Sequence, residues 1–309
     1  DLEASAEGRV DLIASKECDI QRSVFSQEST LIAINGKKAK KSARVKAGDS
    51  IHIEYDEEVF EGLEGEDIPL SIIYEDEDIL VINKEQGIAV HPGAGCYSGT
   101  VANALVGRYG DDFSTSDDDT RPGIVHRLDK DTSGVMIIAR TLESQRKLQE
   151  EFSSHRTEKH YYAIAKGFFT SQEGIIEKRI ERDPWNRKKF RTTDSPVRGK
   201  DAKTAYKVLR QMDGYALLDV RIYTGRTHQI RVHMLSIGHP LLGDPIYGSK
   251  DSSFPDASLM LHARELRIRH PSSGREMVFE APMPDRFQCV ICALSGSSYP
   301  TQQIPEDRD

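Results

Sequence analysis

The sequence predicts an α+β fold built on a mostly antiparallel sheet. Two observations predict it and argue against a doubly wound parallel sheet. Segments with strand alternation outnumber those with helical spacing. Several are joined by hairpin-sized turns: Asn35-Gly36, Met212-Asp213-Gly214 and Ser273-Gly274. Neither an internal repeat nor a phosphate-cradling glycine loop is visible. At 309 residues, two domains are expected. The acidic, aperiodic stretch EEVFEGLEGEDIPL (57–70) carries two Gly and a Pro and reads as the boundary. We expect a small domain over 1–56, a linker over 57–67, a large domain over 68–294 and a disordered tail over 295–309.

The elements follow in order. RVDLIASK (9–16) begins a short helix. LIAINGKKAK (31–40) is a strand running into Asn35-Gly36, a strong tight-turn signal. After the Gly48-Asp49 turn, Ile51, Ile53 and Tyr55 alternate as a half-buried strand. SIIYEDEDILVINK (71–84) gives two strands around an acidic turn, and TVANALVGRY (100–109) is helical. GVMIIA (134–139) is a buried strand, and Thr141 can cap a helix carrying Leu142, Leu148 and Phe152. KHYYAIAKG (159–167), TAYKVLRQ (204–211) and YALLDVRIY (215–223) are strands. THQIRVHMLSIG (227–238) is a helix stopped by Gly238. LMLHARELRIRH (259–270) and REMVFEAP (275–282) are the last strands. In DRFQCVICAL (285–294), Phe287, Val290, Ile291 and Leu294 make a helical stripe. Cys289 and Cys292 are therefore expected as buried helix cysteines, with no second ligand pair for a metal.

Composition bounds the function. With 37% hydrophobic and 30% charged residues the chain reads as soluble, and no window approaches a membrane span. Four scattered cysteines make no disulfide framework, so a reducing cytoplasm is the expected home. The start has neither a secretory leader nor an initiator Met and reads as trimmed. A formal charge of −8 leans away from nucleic acid, but the charge is blocky. Residues 54–78 hold twelve acids and no base, and 111–119 hold five more. Without those seventeen the remainder carries +9. Residues 36–46 contain Lys37, Lys38, Lys40, Lys41, Arg44 and Lys46 with no acid. Residues 178–191 hold seven bases, Lys188, Lys189 and Arg191 among them, against two acids. Both runs are candidate phosphate contacts, or else ordinary solvated surface.

Three clusters could carry chemistry. In GIVHRLDKDTSG (123–134), His126, Arg127, Asp129, Lys130 and Asp131 crowd between core-like segments, where charge is expensive unless paired or used. A charged loop with a capping Asp is the plainer reading. In YTGRTHQIRVHM (223–234), Arg226 precedes the helix start, and Arg231 sits near its apolar face and needs a carboxylate. His228 and His233 point to different helix faces, which disfavours a metal. On the strand 159–167, Tyr161 shares a face with Ala163 and Ala165, leaving room for something flat. Core packing is the commoner fate of such a Tyr.

HRLDKDTSG (126–134) resembles the signature of the RluA/RluD-type pseudouridine synthases. So do INK (82–84), HPGAG (91–95), the KxYxA pattern at 159–163, GRTHQIRVHM (225–234), GDPIYG (243–248) and LMLHA (259–263). The matches keep the family's order over most of 68–285, and HRLD followed by GRTHQIR is highly specific. IPLSIIYEDEDILVINK and AVHPGAG bring the chain nearest to the RluD branch. Residues 1–56 resemble an S4 RNA-binding domain through RVDL, QRS, INGKKAK and VKAGD. Two departures stand out: Glu85 replaces a common Pro, and the S4-like part is short between Arg22 and Asn35.

The resemblance implies an antiparallel-sheet catalytic domain with RNA in a central cleft. It implies conversion of uridine to pseudouridine with no cofactor and no metal. Asp129 matches the catalytic aspartate, which attacks as a nucleophile or removes a sugar proton; both routes stay open. Arg231 matches the basic residue that pairs with it and aims it, with Arg226 as the alternative. Tyr161 matches the tyrosine that stacks on the target base and helps remove its C5 proton. Arg127 matches a position associated with base flipping, with His126 beside it at the substrate. Leu261 matches the apolar residue under the base or tyrosine. The implied partner is large-subunit rRNA or a pre-50S particle, with a 23S hairpin (helix 69) first and other rRNA or tRNA as alternatives. A monomer is expected. Two rivals are a non-catalytic RNA-binding protein, which has no need of Asp129, Tyr161 and Arg231 together, and a glycosidase using Asp129 and Asp131. One Trp, Trp185, offers little sugar stacking.

Overall fold

Strand alternation sorts the side chains of this chain onto the two faces of one large sheet. The computed structural model describes residues 1–18, 20, 24–26, 29–55, 63–93, 96–110, 122–186 and 188–295. The QRS motif (21–23), most of the expected linker (56–62), two residues of HPGAG (94–95), the Asp-rich stretch (111–119), Arg187 and the tail (296–309) lie outside them. The chain divides into two units, residues 1–62 with 93–97, and residues 63–92 with 98–309.

The smaller unit contains β1 (Leu2–Glu3), β2 (Gly8–Arg9), α1 (Val10–Glu17), β3 (Leu31–Ile34), β4 (Lys37–Lys38), β5 (Arg44–Val45) and β6 (Ser50–Glu54). Its sheet runs β1-β6-β3-β4, and β2 pairs separately with β5. Asn35 and Gly36 both take positive φ, the backbone a two-residue hairpin turn needs. Val10, Ala14, Phe25, Ile32, Val45 and Ile51 form the core. Lys37, Lys38, Lys40, Lys41 and Arg44 are all exposed.

The larger unit begins with β7 (Ile72–Glu75), β8 (Ile79–Lys84) and α2 (Val101–Tyr109), then β9 (Ser133–Ala139), α3 (Leu142–Ser153) and β10 (Glu158–Lys166). Next come β11 (Glu173–Glu177), the hairpin β12 (Arg179–Arg182) and β13 (Phe190–Thr193), then β14 (Lys203–Met212) and β15 (Tyr215–Ile222). The chain closes with α4 (Gln229–Ser236), β16 (Leu261–Arg269), β17 (Glu276–Glu280) and α5 (Asp285–Ser295). The main sheet runs β11-β14-β15-β10-β16-β9-β8-β7, with β17 added to β16. Within it β9–β16 is the one parallel pair among the described strands. On β9, Met136 and Ile138 enter the core shared with α2 and α4, while Val135, Ile137 and Ala139 enter the core under α3. Both faces are covered, so all seven β9 residues are buried. β10 divides likewise, with Tyr161, Ala163 and Ala165 on one face and Ile164 against Phe287 and Val290 of α5 on the other.

Helix signals behave as the side-chain chemistry requires. Thr100 and Asn103 form a reciprocal capping box, and the Thr141 hydroxyl accepts the Ser144 N–H. Residues 63–67 are tied to α2, with Glu66 N–H donating to the Asn103 carbonyl and the Asn103 amide donating to the Glu64 carbonyl. One expectation is corrected. Cys289 is exposed and Cys292 half-buried, because Phe287 and Val290 take the inward positions of α5. Both are free thiols.

The parallel contact rests on Gly134. Its φ is +117°, and a Cβ there would lie 2.1 Å from the Ala263 carbonyl oxygen. Gly134→Ala should therefore cost about 1–3 kcal/mol through strain and overpacking. Urea unfolding measures this, and an unchanged midpoint would contradict it.

Candidate active site

Sheet register brings together residues that the sequence scatters. β16 pairs with β9 only at His262 with Ser133 and Ala263 with Gly134. The loop entering β9, which carries Asp129, is thus set beside the first residues of β16, which carry Leu261. On β10, Tyr161 faces Ala263 and Ala163 faces Leu261, so Tyr161 and Leu261 are diagonal neighbours on one face. A bulge falls between His160 and Tyr161. Bulges re-aim side chains and recur beside active sites. The third contribution is the turn after β15 and the start of α4. The resulting cleft is lined by Arg127, Asp129, Tyr161, Arg226, His228, Arg231 and Leu261, among others.

Its electrostatic centre is Arg231, 2% exposed on α4. A buried guanidinium needs carboxylate partners. Asp244 supplies both oxygens: Arg231 Nε donates to Oδ2 and Nη2 to Oδ1, each at 2.8 Å. This fork-on-fork pairing leaves Nη1 to donate to Asp129 Oδ2 at 3.3 Å. Burial works against a charged Asp244. The Arg231 guanidinium and the N–H groups of Tyr247 and Ile246 outweigh it and hold the Asp244 pKa below the ordinary carboxylate value. Gly243 takes positive φ where a Cβ would meet the Ser258 carbonyl oxygen at 2.1 Å, so only Gly lets the 242–248 turn present Asp244 there. Asp129 Oδ1 has no hydrogen-bond partner among the described residues, and the Asp129 side chain is 21% exposed to the cleft.

The loop carrying Asp129 is held from below. Lys84, at the end of β8, is 2% exposed and spends its three ammonium donors on the carbonyls of Glu85, Ile88 and Lys130. Burial pulls its pKa down to about 8, against the charges of Asp131 and Asp129. Gln86 donates to the carbonyls of Asp131 and Leu259, joining the same loop to the entry of β16. The Gln229 side chain locks the turn before α4, accepting from the Arg226 N–H and the Thr224 hydroxyl and donating to Lys203 and Thr204.

Tyr161 is buried, and first burial, then the Asp129 charge, raise its phenol well above the usual value. It is a flat, uncharged floor at neutral pH. His228 stands across the cleft with Nε2 3.8 Å from Asp129 Oδ2. Its φ of 55° is the left-handed region, rare for a residue with a side chain. The predicted helix start at Thr227 is thereby corrected: α4 begins at Gln229, after this left-handed residue.

The cleft gathers Asp129, Tyr161, Arg231, Arg127, Arg226 and Leu261 from the predicted set. It does not include His126. Beyond Gly134, β9 has lost β16 as a neighbour, and the Ile137 N–H would be orphaned there. It donates instead to His126 Nε2 at 3.0 Å, and the ring stacks on Phe152. Burial and the nearby Lys159 charge lower the His126 pKa to about 3, as an acceptor nitrogen requires. Asp131 is not part of the cleft lining, where a glycosidase would need its second carboxylate. His233 is consumed by Thr204 and the Lys178 carbonyl and cannot join His228 on a metal. Lys188, Lys189 and Arg191 belong to the β12–β13 hairpin, where Arg191 is paired with Glu181. Sequence reasoning does not single out Lys84, Asp244 and Tyr247 as site residues, although INK and GDPIYG mark their positions.

The family model for RNA pseudouridylate synthase matches residues 78–236. An RNA pseudouridine synthase of Aquifex aeolicus is 42% identical over 96% of this chain and 98% of its own. The ribosomal large subunit pseudouridine synthase D of Borreliella burgdorferi is 46% identical over 82% of this chain and 78% of its own. That of Escherichia coli O6:H1 is 41% identical, over 82% and 79%. Among solved structures, human RNA pseudouridylate synthase domain containing 1 superposes with a TM-score of 0.58 at 25% identity, covering 77% of this chain and 99% of its own.

Removing one partner of a buried pair costs about 3–5 kcal/mol. Asp244→Asn should destabilise the protein by that amount at neutral pH in urea unfolding. The folded pKa of Asp244 is depressed, so its contribution is complete above the unfolded carboxylate pKa of about 4 and is lost as pH falls below it. The gap between wild type and variant should therefore shrink in acid.

Proposed function

The chain belongs to the RNA pseudouridylate synthase family, and on that premise we propose that it isomerises uridines of large-subunit (23S) ribosomal RNA, with the helix 69 hairpin as first target. The relatives named for the ribosomal large subunit support this choice of RNA. The observation that carries the reading is the Asp129 carboxylate, oriented through Oδ2 by Arg231 and without a hydrogen-bond partner at Oδ1 among the described residues, in a cleft that Tyr161 and Leu261 also line.

Each step then has a group. The target base stacks on Tyr161 while Leu261 packs beneath. Arg127, at the cleft mouth, fills the place left by the flipped uridine, and Arg226 lies against the backbone. Asp129 either attacks C1′ as the N1–C1′ bond breaks, forming an ester that C5 of the turned base then displaces, or removes the C2′ proton as that bond breaks and returns it to C2′ when C5 joins C1′. Arg231 keeps the carboxylate aimed throughout, because Asp244 fixes the guanidinium. Residues 1–56 act as an S4-like RNA-binding domain, joined by the acidic linker 57–67 to the catalytic domain 68–294. Lys37, Lys38, Lys40, Lys41 and Arg44 there, with Lys188, Lys189 and Arg191 of the hairpin, grip phosphates. The enzyme works in the cytoplasm as a monomer on rRNA or pre-50S particles.

Asp129→Asn should fold and bind RNA while making no pseudouridine, and normal turnover by that variant would sink the assignment. Pseudouridine mapping of rRNA and tRNA in cells lacking the protein should lose 23S sites, and loss confined to tRNA would move the substrate. Neutralising Lys37, Lys38 and Lys40 should weaken RNA binding and reduce the salt slope by about 1 for each phosphate that no longer meets a lysine. An unchanged slope would mean that the patch is only solvated surface.

A further inference from the structure

Pseudouridine formation leaves a proton problem that Asp129 and Arg231 do not solve. Once C5 of the turned base has joined C1′, C5 is tetrahedral and still bears its hydrogen, which must leave. Tyr161 is poorly equipped to take it. Burial and the nearby Asp129 charge raise its phenol, which therefore stays protonated at neutral pH.

We propose that His228 is the base that takes the C5 proton. It lines the cleft beside Asp129, and its side chain is 14% exposed. Nδ1 lies 2.8 Å from the Tyr247 hydroxyl. That hydroxyl already accepts the Phe190 N–H from β13 at 2.8 Å, and its second lone pair is open to an Nδ1–H. In this tautomer Nε2 carries the lone pair and faces the cleft. Phe190 and Tyr247 pack edge-on against the ring at 5.7 and 5.5 Å and fix its plane. The left-handed backbone at His228 is a strain of the kind retained where a side chain must be aimed.

Among the described residues, the charged and titratable groups around the ring are Asp129, Asp244, Arg231, Arg127 and Tyr247, with Arg226 on the same cleft wall. Burial lowers the imidazole pKa, Asp129 and Asp244 oppose it, and Arg231 and Arg127 reinforce it, so the ring is neutral at pH 7. The step balances. Nε2 takes the C5 proton, the C5–H electron pair becomes the C5=C6 bond, and the N1=C6 pair moves onto N1. N1 takes a proton from water and the imidazolium returns one to solvent.

The inference rests on the synthase reading, and the test separates the two. His228→Asn is the informative variant, because Asn tolerates the left-handed backbone and cannot carry a proton at neutral pH. On uridine RNA it should lose about 100-fold or more in single-turnover rate. C5-deuterated uridine should then show a primary isotope effect absent from the wild type. On 5-fluorouridine RNA, which has no C5 proton to lose, cleavage and rejoining should run at the wild-type rate, and that result also certifies the fold. Tyr247→Phe should give a smaller loss with an altered acid limb of the pH profile. Equal loss on both RNAs, or full activity on uridine RNA, would overturn the role of His228. A wild-type protein inert on both would overturn the synthase reading instead.

Discussion

A guanidinium buried on α4 organises this site. Arg231 cannot remain charged at 2% exposure without carboxylates, and the chain provides two of unequal kind. Asp244 is fully buried, gives both oxygens to Arg231 and takes two backbone N–H bonds in addition. It is the structural partner. Among the described residues, Asp129 receives only the remaining Nη1, at 3.3 Å, and keeps its other oxygen open to the cleft. One pair is saturated while the other leaves a carboxylate oxygen facing the cleft. The same logic places Lys84 below the loop: its charge is satisfied by carbonyls, so it orders the backbone around Asp129 without competing for the carboxylate.

The backbone constraint is equally specific. Three strands must meet for Asp129, Leu261 and Tyr161 to share a cleft, and the short parallel contact of β9 with β16 is where they do. Gly134 permits the contact because no side chain stands between the two backbones. Once β16 turns away to pair with β17, β9 is left with an unpaired N–H at Ile137, and His126 is drawn into the sheet to meet it. Neighbouring residues of one motif therefore have different duties: His126 completes the scaffold while Arg127 and Asp129 face the cleft.

Much of this was legible in the sequence. Alternation in GVMIIA and KHYYAIAKG marked the buried strands, Asn35-Gly36 marked a hairpin, and Thr141 marked a helix start, because each signal is local and period-dependent. The need of Arg231 for a carboxylate was also legible, since burial of a charge demands one. Less legible were residues whose meaning depends on a distant partner. Cys289 and Cys292 were expected inside, but which stripe of α5 faces the sheet depends on what Phe287 meets there.

The sequence by itself determined most of the element order, the antiparallel bias and the residue types able to do the chemistry, but not the strands between residues 173 and 193. Tertiary structure alone decided that Asp244, thirteen positions beyond Arg231, is its main partner, that Lys84 carries the loop of Asp129, and that His228 stands against the carboxylate. The physical reason is that periodicity reports only which face a side chain takes. Which groups converge on that face is set by strand register and turn geometry, and those are fixed only when the whole sheet is assembled.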